Sequence, residues 1–448
     1  MKIAIIGTGY VGLVTGASIA ALGHDVTLVG RDKTKTDKIN KGKSPFFEPG
    51  LDDLIAKCLA KKLLSATIDF EKSVIDSEII IIAVGTPTRD KKIDLSAIIK
   101  ASEQIGEAIK KSKKYKVVVV KSTVVPTTTE KVVGLTVEKF SGKKMGEFGL
   151  CMTPEFLREG QAVEDATKPD RVVVGAVDDK SAKTFLKIYK GVKTPKLVTN
   201  LRTAEMIKYA SNALFATLIS YSNEVARICE GVGGVDALEV WEGVHLDKRL
   251  TPFVGKKRIK PGVTSFILSG CGYGGSCFPK DTQALAHFAE SINVDTQIIK
   301  NVIEVNRTQP ARMVTLLKNT VGKLKGKKIA VLGLSFKPDT DDLREAPSLP
   351  VINLLLKEGA TVVAHDPTVK EKVGIFADMD IVIAKTITKA LEGADAVLAM
   401  TSWADYKALK PTIFKKKMAN PVIIDGRRMF AKKDFLEAGI IYKGIGLN

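Results

Sequence analysis

The first thirty residues, MKIAIIGTGYVGLVTGASIAALGHDVTLVG, restrict the fold more than any other part of the chain. An apolar run, KIAII, leads into a glycine turn, then a helix-length stretch of small residues, then a second apolar run, DVTLV. That order is half of a βαβ nucleotide-binding unit. Within it GTGYVG, Gly7 to Gly12, fits G-x-G-x-x-G where the pattern has meaning, after a strand and at the opening of a helix. Gly7 permits the tight turn, Gly9 lets backbone approach a pyrophosphate, and Gly12 lets the helix pack closely. Tyr10 and Val11 stand in the same turn, where a helix N-terminus favours an anion. The stretch predicts a bound dinucleotide.

Four further runs, EIIIIAVGTP, KVVVVKSTVVP, FGLCMTPEF and DRVVVGAV, suit short buried strands, the first three with turns at their C-terminal ends. Residues 1–195 are therefore read as one α/β nucleotide-binding domain. From NLRTAEMIKYASNALFATLISYSNEVARICEGVG the pattern becomes helical for some thirty residues, roughly 45 Å at 1.5 Å per residue. A mostly helical region is expected to continue to about residue 320. Then KKIAVLGLSFKPDTDDLREAPSLPVINLLLKEGATVVAHDP echoes the beginning. Gly7 and Gly23 are 16 positions apart, Gly333 and Gly359 are 26 apart, and the polar loop FKPDTDDLRE supplies the difference. With ADAVLAMT and PVIIDGR as further strands, the fold class expected is α/β: two Rossmann-like domains, 1–195 and 321–448, joined by a long helix and a helical central domain, 196–320. A length of 448 residues suits two or three domains.

Composition narrows the partners. The formal charge of +19 could serve nucleic acid or an anionic small substrate, but the lysines are dispersed, with little aromatic interleaving, and read as a solvated surface. No run approaches the ~20 apolar residues of a membrane helix, and the chain runs straight into its first strand, so a soluble cytoplasmic protein is expected. Five cysteines without C-x-x-C spacing and four histidines argue against a disulfide framework and a metal centre.

Two stretches carry chemistry. The second strand, VTLVGRDKTK, ends in Gly30 and Arg31 where a ribose-binding carboxylate is expected, with Asp32 two residues late. A missing carboxylate beside an arginine accommodates the 2′-phosphate of NADP; alternatively Asp32 reaches the ribose of NAD and Arg31 is solvated. In CGYGGSCFPKD, Cys277 has flexible glycines before it, rigid Pro279 after it, and Lys280 and Asp281 close by. A free cysteine is often inert packing, but a cation or helix start can favour the thiolate, and Cys277 is preferred as a nucleophile over Cys271, which lacks the flanking lysine. A nucleophilic cysteine beside a dinucleotide permits a four-electron oxidation. An alcohol becomes an aldehyde, the thiol adds to give a thiohemiacetal, a second oxidation gives a thioester, and water releases the acid.

The ordered set GTGYVG, FEPGL, GTP, STVVP, TPEFLREG, TAEMIKYASNA, GYGGSCFPKD and FKPDTDDLRE resembles the UDP-glucose 6-dehydrogenase family over residues 1 to about 430. The resemblance implies an N-terminal NAD-binding domain, a helical dimerisation core and a C-terminal UDP-binding domain. It places the nucleophile at Cys277 and the oxyanion-stabilising pair at Lys208 and Asn212, whose i, i+4 spacing also puts them on one helix face. Asp281, Thr123 and Glu155 fall on positions that handle water and protons. Taken alone, Lys208 could be solvated, Thr123 a turn residue and Glu155 a helix start. For the cofactor the resemblance adds Lys35, Val84, Gly85, Thr86, Lys280 and Arg344. For the substrate it adds Phe156, Leu157, Arg158, Glu159, Arg258, Phe266, Tyr273, Gly274, Phe336, Lys337 and Arg427.

The sequence departs from the family at Gly30, at Leu268 and Cys271, and in the longer stretch RLTPFVGKKRIKPGVTSF. The expected activity is oxidation of UDP-glucose to UDP-glucuronate with two NAD or NADP, by a homodimer paired through the long helix. UDP-galactose or a UDP-N-acetylhexosamine is the alternative substrate. A basic nucleic-acid-binding protein on a Rossmann frame is the remote alternative, and it gives Cys277, Lys208 and Asp281 no reason to coexist.

Overall fold

The computed structural model describes residues 1–89, 92–372 and 374–447. Two compact units divide the chain, Met1–Ser211 and Asn212–Asn448. The division falls inside one helix of 32 residues, Leu201–Val232.

The first unit is built on β1 (Lys2–Ile6), β2 (Asp25–Val29), β3 (Leu64–Thr67) and β4 (Ile79–Ile82), then, after a small hairpin of β5 (Thr88–Arg89) and β6 (Lys92–Ile93), on β7 (Val117–Val120), β8 (Gly149–Met152), β9 (Val172–Ala176) and β10 (Lys196–Thr199). Their order in the sheet is β10-β9-β8-β7-β4-β1-β2-β3. The winding reverses between β1 and β4, which opens a ligand crevice beyond their C-terminal ends. Every pair in this sheet is parallel except β8 with β9. The strands IIII and VVVV are buried along their whole length, because one core covers each face of the sheet; this is why they read as continuous apolar runs rather than alternations. Helix α1 (Tyr10–Ala21) approaches closely because its inner residues are small. A Cβ on Gly16 would lie 2.6 Å from Leu28, and one on Gly12 would lie 2.0 Å from the Gly7 carbonyl oxygen.

The second unit holds a short hairpin, β11 (Phe253–Val254) with β12 (Lys257–Arg258), and then β13 (Lys328–Leu332), β14 (Thr361–His365), β15 (Ile381–Ile383), β16 (Ala396–Ala399), β17 (Val422–Asp425) and β18 (Ile441–Gly444). The larger sheet has the order β15-β14-β13-β16-β17-β18 and is parallel throughout. The echo seen in sequence is therefore an echo of topology, and the fold is the expected α/β arrangement of two doubly wound sheets with a long helix between them in the chain.

The two glycine turns differ in what fills them. After β1 the helix starts at Tyr10, whereas after β13 no helix starts until Ser348. In the second turn the buried Asp366 carboxylate accepts the N–H groups of Leu334 (2.8 Å) and Ser335 (3.1 Å), the Ser335 hydroxyl and the Trp403 indole N–H. A protein carboxylate thus occupies the donors that would face a pyrophosphate.

The region 196–320 is mostly helical, as expected; within it residues 246–277 consist of the hairpin, a 3-10 turn and irregular loop. Pro252, Pro261 and the glycines at 255, 262, 270, 272, 274 and 275 interrupt any helix that would form there. Among the described residues, no helix is long and apolar enough to cross a membrane, and no group of three His, Cys, Asp or Glu could hold a metal ion.

Candidate active site

In the first unit the glycine turn meets the requirements of a dinucleotide. Gly7 has φ +119°, and a Cβ there would sit 2.5 Å from the Ala83 carbonyl oxygen. Gly9, the N-cap of α1, offers no capping side chain, and nothing lies within 4 Å of where its Cβ would be. The first N–H groups of α1 are thus left for an anion, and backbone can approach it. Val11 is half-buried in that first turn. Tyr10 turns its hydroxyl away to Glu48 (2.5 Å) and its ring onto Phe46. At the end of β4, the Val84 carbonyl accepts the Ser122 hydroxyl (2.7 Å), exposed Gly85 follows, and the Thr86 hydroxyl donates to the Thr123 carbonyl (2.8 Å). These bonds join the ends of β4 and β7 beside the turn.

At the adenosine end, Gly30 is packed so tightly that a Cβ would lie 2.9 Å from both Thr36 and Thr8. No carboxylate can occupy that position without displacing a threonine. Asp32 caps helix α2 (Lys33–Asn40), one of its oxygens accepting the N–H groups of Thr34 and Lys35. Arg31 is exposed and makes no hydrogen bond or ion pair among the described residues.

Beyond β8 the TPEF turn buries a carboxylate. Glu155 pairs with Lys208 of the long helix at 2.8 Å, both side chains less than a tenth exposed, and its other oxygen accepts the Leu157 N–H (2.8 Å). Burial works against the charge on Glu155, but the Lys208 ammonium, the Leu157 N–H and Lys121 together hold its pKa below the ordinary value. Lys121, at the end of β7, is itself buried, which lowers its pKa to about 8; Glu155 partly offsets this and Lys208 adds to it. Phe156 carries the Arg171 guanidinium 3.9 Å above its ring. Arg158 is committed to Asp165, and Glu159 is buried beside the turn.

In the second unit the thiol loop is shaped by its glycines. A Cβ on Gly274 would lie 2.2 Å from the Glu345 carbonyl oxygen, and one on Gly275, with φ +80°, would lie 2.8 Å from the Phe336 ring. Cys277 follows as the N-cap of the helix Phe278–Ser291, with Pro279 in its first turn. Of the five cysteines, none of them in a disulfide, it alone is not buried. Cys271 has its sulfur against the Met400 carbonyl, and burial raises its pKa. One turn into the helix, buried Asp281 accepts the Asn212 amide (2.6 Å) and pairs with Lys280. Phe266, Tyr273, Phe215 and Phe278 form an aromatic cluster next to the thiol.

The remaining candidates are more dispersed. The Arg427 guanidinium donates to the carbonyls of Met400, Gly272 and Phe336, tying three loops together. Lys337 lies near the Phe336 ring. Arg344 makes two bonds to Asp342, each 2.8 Å. Arg258 sits in the β11–β12 hairpin, where its guanidinium is turned onto the Leu246 carbonyl and the Thr251 hydroxyl.

Three buried groups escaped the sequence reading. Lys121 is one. Glu48, in FEPGL, accepts from Tyr10, Gly160 and Ala162 and so fastens the TPEFLREG loop to α1. Glu205, a turn before Lys208, accepts the N–H groups of Thr127 (2.6 Å) and Thr129 (2.7 Å), and burial raises its pKa to about 7.

A nucleotide-binding sheet at each end of the chain, the first with an open glycine turn, is the build of a dinucleotide-dependent oxidoreductase. Comparison with known proteins supplies the family. The chain belongs to the UDP-glucose/GDP-mannose dehydrogenase family, matching its NAD binding domain over residues 1–193, its central domain over 202–308 and its UDP binding domain over 330–432. A relative, UDP-glucose 6-dehydrogenase YwqF of Bacillus subtilis, is 41% identical over 447 residues, covering 100% of this chain and 98% of the relative. Among solved structures, a UDP-glucose dehydrogenase from Pyrobaculum islandicum aligns with a TM-score of 0.90 at 37% identity, covering 100% of this chain and 98% of the other. A UDP-D-ManNAc dehydrogenase from Pyrococcus horikoshii aligns with a TM-score of 0.86 at 29% identity, covering 100% and 99%.

Proposed function

We propose that this chain oxidises the primary alcohol of UDP-glucose to the carboxylate of UDP-glucuronate. The balanced change consumes two NAD+ and one water and releases three protons. One observation carries the cysteine chemistry: the only thiol open to a substrate, Cys277, stands at a helix start one turn from the buried Asp281.

The glycine turn after β1 would hold NAD, which would supply the hydride acceptor for both oxidations. After the first, the Cys277 sulfur bonds to the aldehyde carbon and the thiol proton passes to the carbonyl oxygen, giving a thiohemiacetal. After the second, a thioester links the sugar to Cys277. Water then adds to that carbon, the C–S bond breaks, and the sulfur leaves as thiolate. Lys208 and Asn212, a cation and an amide one helical turn apart, are assigned to the oxyanion. Asp281, held by Asn212 and Lys280, orients the hydrolytic water, with Thr123 and Glu155 handling protons. Phe156, Leu157, Arg158 and Glu159 receive the sugar and diphosphate. Lys337 and Arg427 are assigned to the uridine diphosphate, Arg427 through the N–H groups its three carbonyls leave over.

The chain uses NAD; the finer reading is that it also accepts NADP. The packing that keeps a carboxylate out of position 30 and the unengaged Arg31 support a cation without a competing anion for a 2′-phosphate. The expected division into cofactor, central and UDP-binding domains at 1–195, 196–320 and 321–448 belongs to this proposal. So does a homodimer, supported by exposed apolar residues along one face of the long helix, Leu214, Tyr221, Ile228 and Val232. Five cysteines, none in a disulfide, fit a reducing, cytoplasmic setting.

The deciding assay is the initial rate of nicotinamide reduction with UDP-glucose, with NAD+ and NADP+ run in parallel. Two reduced cofactors per UDP-glucuronate are expected. Absence of UDP-glucose-dependent reduction with either cofactor would refute the proposal.

A further inference from the structure

Behind the TPEF turn the first unit contains a cavity of about 60 Å³. Thr15 and Ser18 of α1 and Leu22, which caps its end, line one side; Lys121, Phe156 and Arg171 line the other. Val117 and Val119 of β7 belong to the core on the α1 face of the sheet, so the alternation of a strand points Lys121 toward α1 as well. Leu22 and Asp170 are exposed lining residues and mark the mouth.

The cavity has a largely apolar lining that carries a few unsatisfied polar groups. Thr15 and Ser18 are only 4% and 3% exposed, yet neither hydroxyl has a hydrogen-bond partner. A hydroxyl on a helix ordinarily bonds the carbonyl one turn back, and a buried one without a partner calls for something to bind. At 10–15 Å³ each, about four to six waters fit such a volume, and a water there needs two or more polar partners. The two hydroxyls and the Lys121 ammonium supply them.

Lys121 also stands among the charges of the working half-site. Glu155 from the TPEF turn and Lys208 from the long helix both act on it. Of the charged groups nearer the cavity, Arg171 is stacked on Phe156, Asp165 is held by Arg158, and Asp170 is at the surface.

We propose that Lys121 and this cavity are the proton outlet of the reaction, passing protons released at the Glu155–Lys208 pair to solvent between Leu22 and Asp170. The inference rests on the four-electron oxidation proposed above, which must discharge three protons in each turnover. In each transfer the Glu155 carboxylic acid gives its proton, through a bridging water, to the neutral Lys121 amine, leaving carboxylate and ammonium. The ammonium then gives a proton to water in the cavity, and no electrons move. An amine with its pKa lowered by burial to about 8 can take up and release a proton near neutrality. Lys121 acts here as a positioning and relay residue, not as a group that touches the sugar.

Two measurements test this. The first needs no substrate: pulse methylation of the full chain with formaldehyde and cyanoborohydride across the range from about pH 6 to about pH 10.5, read by peptide mass spectrometry. Lys121 should react with a midpoint near 8. Leu22→Trp at the mouth should slow it about fivefold or more, leaving the exposed Lys41 unchanged. A midpoint at the ordinary lysine value, or no effect of the tryptophan, overturns the outlet. The second is turnover of Lys121→Met, with kcat expected to fall about tenfold, the KM for sugar and cofactor to stay within about twofold, and the pH limb near 8 to vanish. A merely structural role would leave that limb in place, and its survival overturns the proposal. If the unaltered chain ignores UDP-glucose while the labelling behaves as expected, the substrate assignment fails and the outlet stands for whichever alcohol is oxidised.

Discussion

Replacing Lys121 with methionine should stabilise the first unit even as it slows the enzyme. Lys121 is 8% exposed, and its pKa falls from 10.5 to about 8 on folding, burial being the main cause, opposed by Glu155 and assisted by Lys208. The folded chain therefore holds this proton less tightly than the unfolded chain by about two and a half pKa units. At 1.36 kcal/mol per unit, the charged lysine costs about 3 kcal/mol at neutral pH. The sign follows from the direction of the shift. Below about pH 8 both states carry the proton and the full cost applies; between about 8 and 10.5 the folded state has lost it first, so stability rises with pH until the cost is gone. Methionine has nearly the same length and no charge to desolvate. At about 2–4 °C per kcal/mol for a unit of roughly 200 residues, its Tm should rise by about 6–12 °C at pH 7. Thermal and urea denaturation of both proteins at pH 7 and near pH 10.5 would show the gain at the first and its disappearance at the second. A variant less stable at pH 7, or equally stabilised at both pH values, would refute the reasoning.

Cys277→Ser should lower UDP-glucuronate formation by about 10³-fold or more with little change in UDP-glucose binding, as judged by product chromatography and calorimetry; turnover within tenfold of the parent would remove Cys277 from the covalent role. Arg31→Ala should raise the KM for NADP about tenfold and leave NAD nearly untouched, since the guanidinium would face only the 2′-phosphate; equal effects on both cofactors would point to Asp32 instead. Tyr221→Asp combined with Ile228→Glu places two charges on the exposed face of the long helix and should turn a dimer into monomers by sedimentation velocity at micromolar concentration. Unchanged assembly would show that another surface joins the subunits.

The architecture was legible because its strands are buried on both faces. IIII at 79–82 and VVVV at 117–120 leave no doubt of their environment, and the paired glycine turns at Gly7 and Gly333 mark where each sheet begins. The antiparallel junction of β8 and β9 was not legible, because Val172–Ala176 would read the same in either direction. Within the helical middle, residues 246–277 break the pattern at glycines and prolines that do not sustain a helix. At the site, Cys277 and the glycines before it announced themselves through local composition. Lys121 did not: after four valines it reads as the polar end of a strand, and its burial depends on the turn at 153–157 folding over it. Glu48 was hidden for a related reason, its partners Gly160 and Ala162 lying more than a hundred residues further along the chain.

The carboxylate of Asp366 in the second glycine turn has a kinetic consequence. With that turn permanently filled from within, the chain offers a dinucleotide a single seat, although it carries the nucleotide-binding fold twice. Two oxidations must then run through one seat in series, the spent cofactor departing and a fresh one arriving while the half-oxidised sugar waits. Turnover is exposed to the traffic at that doorway, and the waiting interval is when a covalent tether to the enzyme is of most use.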